Sequence, residues 1–472
     1  MVIRECTKVG FAWFVVSVLL ASAPAYATSD LDVFEELDKD SAFAISSVGE
    51  STSSGFEWLA GVRGNFDLNL GYKYRYRDNQ LVEGEADKGI NGPGRLRGDL
   101  KLEWQHSVSD RLKLQLSGRS LSYVESEGVS GTPSDATYYS SELLWGESYI
   151  LWQLTNYWDV TLGKQIVTWG KGHVLRVNDV LNPRDLREIG VSQDTKIPLT
   201  MAKTDLFAGQ FQLTALSIHE YQGHILPPVG DDYNSQAIEF PTETEQDILH
   251  EPELGVSVSG VIGPLELAYY KARYYNDFGS LTPTGQVILG EGTGDQVIPY
   301  DFVLTPSQID HDGVAVSSTF GFWTITGELA QLRGIRTYPE TDNNQRLDTL
   351  VGVSYNNSSD LFLALEGVIR DLKVADDQTP DELRDLEDKS QELAAMVRKT
   401  FWRNTLESQA MAVVLGKNGV QGSLLRLSQS YAIDDETKIY AVLVDYHKGE
   451  ESPTFTHIEN SDQFILGLNR SF

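Results

Sequence analysis

The sequence predicts an all-β fold, a transmembrane antiparallel β-barrel of about 18 strands with an inward-folded loop. Three observations carry that expectation. From Phe66 the chain alternates with period two: Phe66, Leu68, Leu70, Tyr72, Tyr74 and Tyr76 are interleaved with Asp67, Asn69, Gly71, Lys73, Arg75 and Arg77. In an extended strand this turns one face to lipid and the other to water. Short and long connections then alternate along the chain, as in barrels with tight turns at one rim and long loops at the other. The final stretch, QFILGLNRSF, alternates again and closes on an aromatic residue, Phe472.

At the other end, Arg4 and Lys8 precede an apolar run from Val9 to Leu20, and Ala25-Tyr26-Ala27 supplies small residues for cleavage. Residues 1–27 therefore read as a signal peptide, its apolar run too short to span a bilayer. Residues 28–54 are polar and read as a periplasmic N-terminal segment, and residues 55–472 as the barrel. The single cysteine, Cys6, lies in the signal, so no disulfide or thiol nucleophile is expected in the mature chain. A formal charge of −30 argues against a nucleic-acid partner.

Further alternating segments follow. Leu96, Gly98, Leu100, Leu102 and Trp104 oppose Arg97, Asp99, Lys101, Glu103 and Gln105; Leu112, Leu114 and Leu116 oppose Lys113, Gln115 and Arg119. Leu361, Leu363, Leu365 and Ile369 oppose Glu366 and Arg370, and Tyr440, Val442, Val444 and Tyr446 are read as a lipid face against Lys438 and Asp445. Tight turns are expected at Ser109-Asp110, Thr155-Asn156, Gly209, Gly263-Pro264, Gly321, 356–360, 402–404 and 433–435. Long polar connections are expected at 78–94, 125–139, 170–199, 220–252, 277–310, 334–346, 375–385, 416–419 and 449–461.

Function then rests on the bore. A barrel of this size leaves an aqueous passage unless something fills it, which points to a porin-like channel for a hydrophilic solute. The lumen wall is assigned Lys73, Arg75, Arg77, Arg97, Lys101, Lys113 and Arg119, opposed by Asp67, Asp99 and Glu103, with Arg370, Arg398 and Arg426 on later strands. A one-sided lining selects counter-ions and would favour an anionic solute; the alternative is that these charges only solvate the wall and pair across strands. The stretch YWDVTLGKQIVTWGKGHVLRVNDVLNPRDLR, from Tyr157 to Arg187, changes character midway. Its first half reads as a strand climbing to Trp169. From Gly170 it gathers turn-forming and charged residues and is expected to fold back into a wet lumen, bringing Lys171, His173, Arg176, Asn178, Asp179, Asn182, Arg184, Asp185 and Arg187 to a constriction. Within it, NDVLNPRD reads as consecutive Asx-type turns, with Asp179 and Asn182 pinning the loop, and Trp169 as packed on the wall.

Residues 163–185, GKQIVTWGKGHVLRVNDVLNPRD, resemble a strand-and-loop motif of a large family of uncharacterised proteobacterial outer-membrane proteins. There a G-[RK]-Q-x-V-x-W-G strand precedes a segment ending near [DN]-x-x-[NS]-P-x-D. More distantly they are similar to the alginate-export porins, which implies 18 strands and an arginine-rich lumen. The terminal Phe472 resembles the signal read by the bacterial barrel-assembly machinery, which with outer-membrane lipid and lipopolysaccharide completes the expected partners.

Enzymatic chemistry finds little support. The eight histidines show no HExxH or paired metal spacing, and GxSxG is missing, so no catalytic residue, metal or cofactor is expected. Two alternatives to the porin-like channel remain: an outer-membrane component of an export system for polysaccharide or lipid-like cargo, and a plugged structural or surface-binding barrel.

Overall fold

A computed structural model of the chain describes residues 61–74, 92–126, 137–188, 190–191, 195–227, 252–289, 296–337, 341–357, 360–373, 389–449 and 461–472. The signal peptide, the segment 28–54, and Arg75 and Arg77 lie outside these residues. The strands run in order as β1 Val62–Lys73, β2 Gly92–Ser109, β3 Leu112–Ser126, β4 Thr137–Trp145, β5 Ser148–Thr155, β6 Trp158–Gln165, β7 Leu199–Ala208, β8 Phe211–Ile218, β9 Glu253–Ile262 and β10 Leu265–Tyr275. A separate hairpin, β11 Ser280–Leu289 and β12 Gln296–Thr305, comes next. The sheet resumes with β13 Gln308–Phe320, β14 Trp323–Thr337, β15 Thr341–Asn356, β16 Leu361–Lys373, β17 Lys389–Phe401, β18 Leu406–Leu415, β19 Gly422–Ala432, β20 Thr437–Lys448 and β21 Gln463–Ser471.

Each barrel strand pairs antiparallel with its neighbour, and β1 pairs both β2 and β21, so the sheet closes on itself. The sheet holds 19 elements, but β4 and β5 lie end to end along the same edge of β3, which makes 18 staves. The break falls at Gly146-Glu147, where the Ser117 hydroxyl donates to the Glu147 carbonyl at 2.9 Å. It frees the Glu147 carboxylate to accept the Ile166 N–H at 3.0 Å, just past the end of β6.

Exposure identifies the outer face. Phe66, Leu68, Leu70 and Tyr72 are exposed on β1 while Gly71 and Lys73 are buried. Leu116, Ile150, Leu162, Leu329, Leu365 and Leu466 continue the apolar surface around the wall. Tyr157, Phe211, Phe322, Trp323, Trp402 and Phe472 stand exposed along the tight-turn rim, an aromatic girdle of the kind that settles at a membrane interface. A closed antiparallel barrel with such a belt is solvated by lipid, and the protein is an outer-membrane β-barrel with its tight turns in the periplasm. At the seam, Gly64 and Phe472 exchange backbone hydrogen bonds of 2.8 and 2.9 Å. The Phe472 ring lies where a Cβ on residue 64 would stand.

Several sequence expectations are corrected. β6 ends at Gln165, short of Trp169. The expected loop 334–346 is largely strand: β14 runs to Thr337 and β15 starts at Thr341, with register shifts marking bulges. The expected loop 277–310 contains the β11–β12 hairpin. On β20, Val442, Val444 and Tyr446 are buried on the inner face while Ile439 is exposed, the reverse of the assigned register. Ile439, Ala441 and Leu443 are as apolar as their alternates, so alternation there does not say which face meets lipid.

Candidate functional site

Between β6 and β7 the chain leaves the wall for residues 166–198, and its bonds reach staves around the barrel. The sequence explains the departure. Gly163 and Gly170 both have positive φ, 128° and 89°, and after Gln165 the chain lacks the alternation that a lipid-facing strand needs. Every anchor described below lies on the wall face opposite the apolar belt.

One anchor is a pair of glutamates. The N–H groups of Lys171 and Gly172 donate to Oε1 of Glu328 on β14, at 2.7 Å for Gly172. Those of His173, Val174 and Leu175 donate to Glu366 on β16, at 2.6, 2.8 and 2.8 Å. Five consecutive backbone donors thus converge on two carboxylates, a nest-like arrangement that charged acceptors satisfy well. Gly170 makes it possible: its φ of 89° is a region L side chains rarely adopt, and a Cβ there would stand 2.9 Å from Glu328 Oε2. Lys171 Nζ adds a bond of 2.6 Å to Glu266 on β10, and the Asn178 amide donates to Glu328 Oε2 at 2.7 Å.

Inside the segment, Asp179 is the hub. Its Oδ1 accepts the Trp169 N–H at 3.0 Å. Its Oδ2 meets Arg176 at 3.0 Å, Arg184 at 3.3 Å and Lys196 at 2.6 Å, all of them buried. Asn182 bonds only backbone groups, taking the Val167 N–H at 2.8 Å and giving its amide to Ile197 O at 2.9 Å and Gln165 O at 3.2 Å. The two residues hold the segment's start against its middle and end.

Three further anchors tie the segment sideways. Glu188 binds Arg95, at 2.7 Å, and Arg97 on β2. Burial alone would raise the Glu188 pKa, but these guanidinium groups outweigh it and hold the carboxyl down at about 2. Arg187 is gripped by Asp185, at 2.6 and 2.8 Å, and reaches Glu142 on β4 at 2.7 Å. Arg426 on β19 donates to the Gly190 carbonyl at 3.0 Å. A second stretch of chain pairs with the segment: Ile225 bonds Arg184 and Leu186, and the Arg184 N–H donates to Nδ1 of His224 at 2.9 Å. Burial and, less strongly, the Arg184 charge lower the His224 pKa to about 3, which suits a neutral ring accepting at Nδ1.

Apolar contacts fill the rest. Val167, Trp169, Val174, Leu175, Val177, Leu181 and Leu186 form one buried cluster with wall residues that include Tyr270, Leu350, Val368, Met411, Leu424 and Val444. Trp169 stacks on Tyr270 at 5.1 Å between centroids. The expectation of a wet lumen around this part of the segment is therefore corrected, while Trp169 packs on the wall as expected. Arg176, Asn178, Asp179, Asn182 and Arg184 are at most 3 % exposed and hold the segment together; Lys171, His173, Asp185 and Arg187 bind or pack on the wall or their own loop.

On the wall, Lys73 and Arg97 are buried, Arg119 grips Asp99 at 2.9 and 2.6 Å, and Lys101 faces Glu103 at 3.1 Å. The one-sided lining is in these places a set of ion pairs, along β2 for Lys101–Glu103 and between β3 and β2 for Arg119–Asp99. Arg370 bridges Asp348 and Glu392, at 2.8 and 2.7 Å. Glu328, Glu188 and Lys196 were not singled out in the sequence, and His224 entered only as one of eight histidines without metal-ligand spacing. A trace of the first exists in the Gly-Lys-Gly around Lys171, which exposes consecutive N–H groups, but nothing local names the acceptor. Among the described residues no group of His, Cys, Asp and Glu is placed to hold a metal ion.

Residues 122–334 match a family of proteins of unknown function, DUF1302. The match takes in the whole segment 166–198 and Glu328, and stops before Glu366. No curated protein sequence matches the chain. Among solved structures, the chain is similar to OccAB4 of Acinetobacter baumannii at 9 % identity and a TM-score of 0.47, covering 87 % of this chain and 98 % of that one. It is similar to the outer-membrane channel DcaP of Acinetobacter baumannii at 11 % and 0.40, covering 87 % and 96 %. An anion-selective porin from Comamonas acidovorans stands at 12 % and 0.37, covering 87 % and 98 %.

Proposed function

We propose that the chain is a porin-like outer-membrane channel for a hydrophilic solute, its bore narrowed by segment 166–198 folded into the lumen. The observation that supports this best is the seating of five consecutive N–H groups, residues 171–175, on Glu328 and Glu366. A loop that only covers a mouth can leave its backbone to water. One that sets the width of a bore must be held at a fixed depth, and buried N–H groups need built-in acceptors there. An anionic solute is the finer part of the proposal. Lys101 and Lys113 lie on the inner face of β2 and β3 and remain partly exposed, and Arg95 and Arg97 converge on one carboxylate, so the sector favours counter-anions.

Planar-bilayer recording of the purified barrel tests both parts. Discrete conductance steps are expected, with a zero-current potential that moves toward cation preference in Lys101→Glu with Lys113→Glu. An unmoved potential retires the anionic solute, and silence from every form, including one lacking residues 171–187, retires the channel. The apolar packing of Trp169, Val174 and Leu175 supports a second reading, a barrel shut at rest until a partner displaces the segment. On that reading the wild type is silent, and Glu328→Gln and Glu366→Gln, which loosen the seat of the segment, conduct.

A further inference from the structure

The outer wall carries an ion cluster that a channel does not require. Tyr269, Val314 and Leu329 form one exposed cross-strand row on β10, β13 and β14. Two residues farther from the tight turns, the same face becomes Lys271, Asp312 and Gln331, and then Arg273, Asp310 and Arg333. The side chains of Lys271, Arg273 and Arg333 are 59 %, 52 % and 42 % exposed. The alternate residues Tyr270, Ala272, His311 and Leu332 are buried on the inner face. These charges therefore stand on the lipid side.

Ionised groups are costly in hydrocarbon, so the two rows mark the upper edge of the apolar belt, at the headgroup level of the outer leaflet. Asp312 is oversubscribed there: Lys271 Nζ and the Tyr269 hydroxyl donate to its Oδ1 at 2.8 and 2.9 Å, and Arg333 bonds its Oδ2. Arg273 holds Asp310 through bonds of 2.8 and 3.1 Å. Among the described residues three cations meet two carboxylates here, on a chain whose formal charge is −30.

We propose that this face docks a phosphorylated glycolipid of the outer leaflet, with a phosphate seated between Lys271 and Arg333 and Arg273 beside it. A phosphate offers enough acceptor oxygens to bridge two cations that share one acid, and the planar guanidinium fork suits it. The acyl chains would then run down over Tyr269, Val314 and Leu329.

Native mass spectrometry of the detergent-purified barrel tests this, with bisphosphorylated lipid A as one probe and the same lipid stripped of phosphate as the other. The wild type should retain the bisphosphorylated form preferentially. Lys271→Gln with Arg333→Gln should lower that retention by about tenfold or more, and Asp312→Asn, which frees both cations, should raise it. Retention of the stripped lipid should follow neither change. Equal retention of the two lipids by the wild type overturns the proposal. So does indifference of bisphosphorylated lipid A to Asp312→Asn, an arm that decides the matter even if the double variant does not fold.

Discussion

Glu366 accepts three consecutive N–H groups from a segment that belongs to a distant part of the sheet. Bonds to a charged acceptor contribute about 1.5–3 kcal/mol each, against about 1 kcal/mol for neutral pairs. Glu366→Gln keeps the size but replaces one acceptor oxygen with an NH2 donor, so a buried N–H is left facing another donor. Open probability in planar bilayers is expected to rise about tenfold, with Glu328→Gln acting in the same direction; unchanged gating in both would remove the glutamates from the mechanism. Glu188 makes a pH prediction. An unfolded glutamate titrates at about 4.3, and in the fold Arg97 and Arg95 hold Glu188 at about 2. Its pairing therefore stabilises the barrel in full above the unfolded value, and that contribution is lost as pH falls through it toward 2. Heat-unfolding midpoints of wild type and Glu188→Gln should differ at neutral pH and converge as pH approaches about 2. At this scale, the pinning roles of Asp179 and Asn182 were legible because short Asx side chains bond nearby backbone. Glu328 and Glu366 were not, because their partners lie about 150 and 190 residues away in sequence.

At the scale of elements, the segment 166–198 is a strut with anchors on β2, β4, β10, β14, β16 and β19. Removing residues 171–187 takes away the Asp179 hub and the seat on both glutamates, so single-channel conductance is expected to increase several-fold while heat-modifiable gel mobility still reports a closed barrel. An unaltered conductance would show that another element sets the bore. Where sequence and structure part company, the reason is specific to each element. Pro283 and Pro299 make β11 and β12 read as loop, since proline is disfavoured within sheets; the hairpin accommodates Pro283 next to a register shift. The stretch 334–346 carries Gly334, Pro339 and a pair of asparagines, and bulges carry the strands through part of it. β6 stops early because Glu147, released by the break after β4, caps the Ile166 N–H instead of a neighbouring strand.

For the whole molecule, closure depends on the seam between β1 and β21. Gly64→Val puts a branched side chain where the Phe472 ring lies, and Phe472→Ala removes the ring while leaving the backbone bonds. Both should lower the yield of heat-modifiable barrel on refolding into lipid, Gly64→Val the more strongly, since displacing the ring also disturbs the two hydrogen bonds that finish the seam. The sequence by itself determined that this chain is a membrane barrel, which rim carries the tight turns, and that a segment leaves the wall ahead of Gly170, though not at which residue. Those features are imposed locally, by a solvent that differs on the two faces of every strand. Only the tertiary structure decided which residues of the wall the segment 166–198 binds. Partners brought together from remote staves leave no period in the sequence, and on β20 the buried inner face is as apolar as the outer one, so alternation there cannot tell them apart.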